Sequence, residues 1–369
     1  MTSHPEFNEK TTATVVASVF AEQIRNKNGV YFYEVHSSYS TSMIRSMLNT
    51  RVVVITGIAP KSLGEAMAVA IAAQSPAKLF LASRTKEKLE KVANKISNEL
   101  PQATPAVELV ALDLASQQSI QQAASQIANS VDAVDVLINN AGVMTLTREN
   151  TADGLELQFG TNHIGHFLFT QLLIKQLLRA GSKNDRSARV INVTSEGHRL
   201  SPIRFHDYFV EGKDVPDEEQ PPPEITAIYG QIKDYNGWLA YGQSKTANSL
   251  FSLALNQKLK SRGMISYAVH PGSIWTNLNR SLDEEGNRIL AKTGTYWKSE
   301  DEGAATMLVA AFDPLLNDLP ESGDFYLNDC QFAQPAPWAK DTDAAEKLYT
   351  LSEELLGRRF DESVDGYKP

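Results

Sequence analysis

Tyr241 and Lys245 stand four positions apart in the stretch AYGQSKTAN. Its composition favours a helix, which sets both side chains on one face. A phenol titrates at about pH 10 and an ammonium slightly above it. A cation held beside the phenol favours the phenolate and brings proton exchange closer to neutral pH, as a general acid or base for a carbonyl/alcohol pair requires. The same spacing is common on ordinary solvated helices, so the pair gains meaning only from the elements that position it.

The first of these elements is the β-branched run Arg51-Val52-Val53-Val54-Ile55, which reads as a strand buried on both faces. It runs into Thr56-Gly57-Ile58-Ala59-Pro60-Lys61-Ser62-Leu63-Gly64 and then an alanine-rich segment predicted helical from Glu65 to Ala73. Strand, glycine turn and helix together aim backbone N–H groups at a phosphate, although an ordinary strand-to-helix turn has a similar outline. A second predicted strand, 78–82, ends at Ser83-Arg84-Thr85. A site for NAD would place an acid there to hold the ribose 2′-OH. Arg84 suits a 2′-phosphate instead, with Lys61 as a second cation, so NADP(H) is the expected cofactor; the competing reading of Arg84 is a solvated loop residue.

Predicted strands at 107–112 and 134–138 close on Asp113 and on Asn139-Asn140-Ala141-Gly142, and amphipathic helices are expected at 86–99 and 117–129. This alternation predicts right-handed crossovers and an α/β fold, a Rossmann-type doubly wound parallel sheet in a single domain. Ligands bind such sheets at the carboxyl ends of the strands, where all these motifs fall. A helix is predicted from Asp153 to about Arg179. Within it Asn162 must find a partner or distort the helix. His163 and His166 lie three apart without a carboxylate or thiol at ligand spacing, so they read as structural histidines and no metal is expected. The strand 188–195 ends in Thr194-Ser195, and Ser195 lacks the Gly-x-Ser-x-Gly setting of an acylating nucleophile.

Residues 200–238 contain the charged, proline-rich stretch from Lys213 to Pro223, expected as an exposed loop bordering the site. A strand at 265–269 leads to the turn 270–277, followed by a helix at about 300–312, a short strand near 324–327 and a helix at 344–356. Before the first strand, residues 11–27 predict an amphipathic helix on the outside of the domain. Residues 29–50 fit neither period and read as poorly ordered or a surface hairpin. The working division is therefore an N-terminal extension, 1–50, and a cofactor-binding domain, 51–369, with substrate loops at 196–238 and 273–300.

The net charge is −9, with 35 basic and 44 acidic residues and no basic block, which argues against nucleic acid or an anionic membrane surface as partner. The single cysteine, Cys330, excludes an intrachain disulfide and fits a reducing compartment. No apolar run reaches the length of a membrane span, and the expected location is the cytoplasm.

Thr56-Gly57 to Gly64, Asp113, Asn139 to Gly142, Asn162, Ser195, Tyr241 to Lys245 and Pro271-Gly272, in this order over about residues 51 to 280, resemble the short-chain dehydrogenase/reductase family. DGLELQFGTNHIGHFLFT and YGQSKTAN are similar to its retinol-dehydrogenase and WW-domain-oxidoreductase branch, which has many fungal members. The resemblance implies that Tyr241 exchanges the proton, Lys245 lowers its pKa and binds the nicotinamide ribose, and Ser195 holds the substrate oxygen. It implies further that Asn162 orders a water, Asn140 and Ala141 flank the adenosine ribose beside Gly142, Asp113 meets the adenine, and Thr276 binds the carboxamide.

Two departures from the family pattern stand out. Ser62 replaces a glycine where the backbone approaches the pyrophosphate, which predicts weakened cofactor affinity, partly offset by Lys61. Residues 29–50 look inserted relative to fungal members, as a retained intron would leave them. The implied activity is NADP(H)-dependent interconversion of a ketone or aldehyde and an alcohol on a small, fairly apolar substrate. Family habit suggests a tailoring step in secondary metabolism and permits a homo-oligomer. The alternatives are a catalytically impaired binding protein and a sugar-nucleotide epimerase or dehydratase.

Overall fold

The β-branched runs become the strands that carry the site. In the computed structural model, which describes residues 2–25, 51–101, 106–183, 187–275, 278, 282–292, 294 and 296–360, Val52–Thr56 (β1) pairs in parallel with Lys78–Ser83 (β2) and Val136–Asn139 (β4). Ala106–Ala111 (β3) lies beyond β2, and Ala188–Val193 (β5) and Met264–His270 (β6) follow β4. The order β3-β2-β1-β4-β5-β6 reverses direction between β1 and β4, which opens a crevice at the carboxyl ends of the strands. Ser273–Ile274 (β7) and Trp297–Lys298 (β8) form a separate parallel pair, while Tyr326–Asn328 (β9) and Gln331–Phe332 (β10) extend the main sheet beyond β6. The fold is the doubly wound parallel sheet that the alternation predicts, with one antiparallel edge.

Strand alternation divides the interior into two layers. Val53, Ile55, Leu79 and Leu81 point to one face, covered by Ala13–Val19 (α1), Ala21–Ile24 (α2), Leu63–Ala72 (α3), Lys86–Glu99 (α4) and Glu300–Phe312 (α12). Val54, Phe80 and Leu137 point to the other, beneath Gln117–Ser130 (α5), Leu157–Phe159 (α6), Gly165–Leu172 (α7), Ile174–Lys183 (α8), Gly237–Leu259 (α10) and Thr342–Leu356 (α13). Pro223–Tyr229 (α9) and Glu284–Ala291 (α11) complete the helices used below. The N-terminal helix buries Val16, Ala17 and Phe20 in the first layer and leaves Val15 and Val19 exposed. Residues 29–50, expected as an insert, lie outside the described residues.

Two sequence expectations need correction. The helix expected to run from Asp153 to Arg179 begins at Leu157, widens into a π turn over Gly160–Ile164 and breaks at Leu173 between α7 and α8. Residues 200–238 are exposed only in part. Ser201 to Arg204 are buried, Arg204 pairs with the buried Asp207 at 2.9 Å, and Gln243 of α10 accepts from Arg204 N and donates to Tyr208 O. Glu219 is also buried and bonds His206. Of the charges between Lys213 and Pro223 that suggested an exposed loop, Lys213, Asp214, Asp217 and Glu218 are exposed as expected and Glu219 alone is buried.

Candidate active site

Nearly every residue of α10 is buried, so the helix lacks the solvent face that a Tyr and Lys four apart ordinarily occupy. Asn236 caps it by accepting from Trp238 N and Leu239 N. Its polar residues then fasten it to the end of β5 and to the segment that follows: Thr246 donates to Ser201 O at 2.7 Å, and Asn248 to Val193 O at 3.0 Å. Tyr241 and Lys245 are thereby presented to the end of β5, where the hydroxyl of Tyr241 meets the side chain of Ser195. Ser195 Oγ also accepts from Gly197 N at 3.1 Å. Lys245 Nζ donates to Val193 O at 3.1 Å and stands 5.7 Å from the centre of the Tyr241 ring.

Asn162 both finds partners and sits in a distorted helix. Its amide accepts from Val143 N at 2.8 Å and donates to Val143 O and to Ser244 Oγ, each at 3.0 Å. The π turn frees backbone positions, and the carbonyl of Asn162 accepts from His166 Nδ1 at 3.0 Å. That bond fixes the proton on Nδ1, so His166 Nε2 accepts from the Thr56 hydroxyl at 2.9 Å. Thr56 Oγ1 in turn accepts from Asn140 N and Ala141 N at 2.9 and 3.0 Å. A single chain of hydrogen bonds therefore joins the catalytic-side helix to the turn after β4. His163 bonds Ser352 Oγ at 2.8 Å, so both histidines have structural partners.

Burial sets the charges. Tyr241 is pushed up to about 12 by loss of water, against the pull of its bond to Ser195, and Lys245 is pushed down to about 8 by the same burial. Proximity alone predicts an acidified phenol; desolvation raises it instead, and the phenol is neutral at pH 7.

A cavity of about 500 Å³ runs from Arg84 and Lys88, past Asp113 and the Asn140–Gly142 turn, to Ser195, Tyr241 and Lys245. Gly57, at φ +79°, forms its floor, and a Cβ there would stand 2.7 Å from Ala141 Cα. At Gly142 a Cβ would stand 3.5 Å from both Lys245 Nζ and Asn162 Oδ1, so a larger residue would fill the space before the ammonium. Ser62 and Leu63 line the same wall, while Gly64 is buried behind it against Gly57 O. Arg84 and Lys88 are exposed, and neither meets a carboxylate in an ion pair among the described residues. Free cations at one end and a proton donor at the other, joined by a floor without side chains, fit a phosphate-bearing dinucleotide.

Ser62 does not obstruct that floor. Its hydroxyl turns back to donate to Ala59 O at 2.7 Å and accepts from Glu65 N at 3.2 Å, capping α3. Lys61 is exposed in a left-handed conformation, φ 55°, and is not part of the cavity wall. Asn140 directs its side-chain amide to Thr56 O at 2.8 Å, and Asp113 accepts from Ala115 N while lining the cavity. Thr276 lies outside the described residues. Sequence reasoning passed over Lys88, whose spacing of four from Arg84 on the edge of α4 was a usable signal. It also passed over Met144, Tyr229 and Trp238, which wall the end near Tyr241 with Leu278 and Leu290 and come from elements far apart in the chain, Tyr229 from α9, Trp238 from α10 and Leu290 from α11.

Residues 51–208 match the family model of short chain dehydrogenases. The chain is 34% identical to retinol dehydrogenase 12 of Mus musculus over 84% of its own length and 88% of the relative's. It is 33% identical to the short-chain dehydrogenase/reductase prx1 of Penicillium rubens, over 68% and 70% of the two chains. Among solved structures, an uncharacterised protein from Mycobacterium paratuberculosis superposes with a TM-score of 0.59 at 30% identity, covering 84% of this chain and 95% of that one. The protein thus belongs to the short-chain dehydrogenase/reductase family, in its retinol-dehydrogenase-like branch, and is an oxidoreductase of the alcohol/carbonyl pair that uses a nicotinamide cofactor.

Proposed function

We propose that this chain reduces a ketone or aldehyde on a small, largely apolar molecule with NADPH, and catalyses the reverse oxidation when the balance of substrates demands it. The observation that carries the reading is the neutral Tyr241 hydroxyl, set beside Ser195 at one end of a cavity whose other end carries the free cations Arg84 and Lys88. A bound reduced nicotinamide would supply the hydride to the carbonyl carbon. Arg84 and Lys88 would hold the 2′-phosphate, the Gly57 turn and the start of α3 the pyrophosphate, and Asp113 the adenine side.

The residues of the chain then act as follows. Ser195 orients the carbonyl oxygen, and Tyr241 donates a proton to it as charge develops there. Lys245, held near neutral titration by burial, is the cation beside the phenol that stabilises the transient phenolate. Asn162 fixes the Val143 backbone opposite and holds Ser244, which donates to Tyr241 O at 2.7 Å and so stiffens the turn carrying the phenol. Met144, Tyr229, Trp238 and Leu290 give the substrate end an apolar and aromatic lining, which favours a hydrophobic substrate.

With the Ser62 hydroxyl engaged in a cap, the side chain that motivated a non-catalytic binding role no longer supports it. A panel of apolar aldehydes and ketones, followed by loss of NADPH absorbance, tests the reading. Turnover with the native chain and a drop of roughly 10²- to 10⁴-fold in Tyr241→Phe are expected. A variant that keeps full rate would refute the assignment.

A further inference from the structure

Part of the cavity wall is the turn Pro271-Gly272-Ser273-Ile274, which leaves the end of β6. It is attached to the rest of the fold through β7, a ladder only two residues long, Ser273 opposite Trp297 and Ile274 opposite Lys298. So short a ladder does not hold a turn in place by itself. Behind the turn, away from the cavity, lies the side chain of Lys298, 3% exposed and not part of the lining.

Gly272 has φ +91°, and a Cβ built on it would meet Lys298 Cδ and Cε at 2.7 Å and Nζ at 3.1 Å. The lysine stem is therefore pressed flat against the backbone of the turn, and only a glycine permits it. The ammonium bonds Asp329 Oδ1 at 2.6 Å. Asp329 and Cys330 form the two-residue turn between β9 and β10, both with positive φ, 49° and 64°. That turn is itself anchored: Cys330 N donates to Thr306 Oγ1 of α12 at 3.1 Å, and Asn328 pairs in register with His270 of β6.

We propose that Lys298 and Asp329 are positioning residues, a strut that fixes the Pro271–Ile274 turn against the nicotinamide half of the cofactor. The strut touches neither cofactor nor substrate and acts through Gly272. An ion pair with its lysine buried and its aspartate half-exposed adds little net stability once desolvation and screening are counted, and its use lies in holding one geometry. Hydride transfer is sensitive to that geometry, since a displacement of about 1 Å at a reacting centre can cost about a hundredfold in rate. The proposal rests on the reading of the cavity as a dinucleotide site and adds the residues that set part of its wall.

The test is calorimetric titration of the full chain with two probes, NADPH and 2′,5′-ADP, the second lacking the nicotinamide. Lys298→Ala removes the stem and the charge; Asp329→Asn, at a half-exposed position, leaves the fold and the lysine in place. In Lys298→Ala the dissociation constant for NADPH is expected to rise about tenfold with that for 2′,5′-ADP unchanged, and in Asp329→Asn the same split appears at smaller size. Parallel weakening of both probes would mark Lys298 as merely structural, and unchanged binding of both would remove it from the site; either overturns the strut. A native chain that binds neither probe overturns the cavity reading, and the strut with it.

Discussion

Lys245 directs its ammonium to the carbonyl of Val193 at 3.1 Å while standing 5.7 Å from the centre of the Tyr241 ring. The cation is near enough to the phenol to stabilise its ionised form, yet both groups are buried, and burial drives the two in opposite directions. The phenol rises to about 12 and the ammonium falls to about 8. The lysine, and not the tyrosine, is the group that titrates near physiological pH.

The pH dependence follows from that inversion. Carbonyl reduction needs a neutral phenol and a charged neighbour, so kcat/KM for reduction should be level at neutral pH. It should fall about tenfold per unit once Lys245 loses its proton above about pH 8. Oxidation of the alcohol, which needs the phenolate beside a charged lysine, should rise towards about pH 8 and level off above it. Lys245→Met should remove the inflection as well as lowering the rate. Initial rates in both directions between pH 6 and 10 decide it.

Thr56 should be costly to replace although it lies outside the catalytic group. Its hydroxyl donates to His166 Nε2 and accepts from Asn140 N and Ala141 N. Thr56→Val keeps the shape and leaves the Ala141 N–H and an imidazole nitrogen without a partner, while Asn140 N keeps its bond to Ile138 O at 3.0 Å. A loss of roughly 2–4 kcal/mol in chemical denaturation is expected, together with weaker NADPH binding because the Asn140–Gly142 turn loses its anchor. Unchanged stability would mean that water replaces the hydroxyl.

How much of this was legible beforehand depended on how local the cause is. The parallel strands and the helices beside them announce themselves through β-branched runs and helical spacing, as at Val52–Ile55 and Lys86–Glu99, because each segment carries its own pattern. Tyr241, Lys245, Ser195 and Asn162 could be singled out by type and order. Their burial could not, and burial reversed the expected acidity of the phenol.

Features made by distant partners left no trace. The ring of His198 bonds Ala336 N at 2.9 Å, 138 residues away, and Lys298 finds Asp329 across an intervening helix. Residues 200–238 read as one exposed loop because the charge and proline content of 213–223 reports only average exposure, whereas the Arg204–Asp207 pair nearby is buried and the Arg204 backbone is held by Gln243. The π turn at Asn162 was anticipated only as a distortion, since no sequence period marks one extra residue in a helix.

Acid should destabilise the fold through its buried imidazoles. Burial holds His163 at about 3 and His166, His198 and His270 at about 4, all below the ordinary 6.5. The unfolded chain therefore takes up protons first as pH falls. Stability should be complete above about pH 6.5 and decline towards pH 4 by up to about 1.4 kcal/mol per unit for each histidine. Urea midpoints measured from pH 7.5 to 4.5 should show this slope, and His163→Phe should reduce it by one proton. A flat profile would require these rings to be charged in the fold.

Cofactor choice isolates the two cations at the far end of the cavity. NADPH and NADH differ only in the 2′-phosphate, so effects on the common parts of the site cancel in the ratio of their kcat/KM values. Arg84 lies at the end of β2 and Lys88 one turn into α4, both exposed and neither in an ion pair among the described residues, so a phosphate would meet them without breaking an existing contact. A charge-assisted bond to phosphate is worth about 1.5–3 kcal/mol. Arg84→Ala should lower the preference for NADPH by roughly ten- to a hundredfold, Lys88→Ala by less, and the double variant by more than either, with NADH turnover nearly constant. Because exposed charges are screened, the preference in the native chain should also shrink as salt is raised. If Arg84→Ala reduced activity with both cofactors equally, the arginine would serve the adenosine or the loop and not the phosphate.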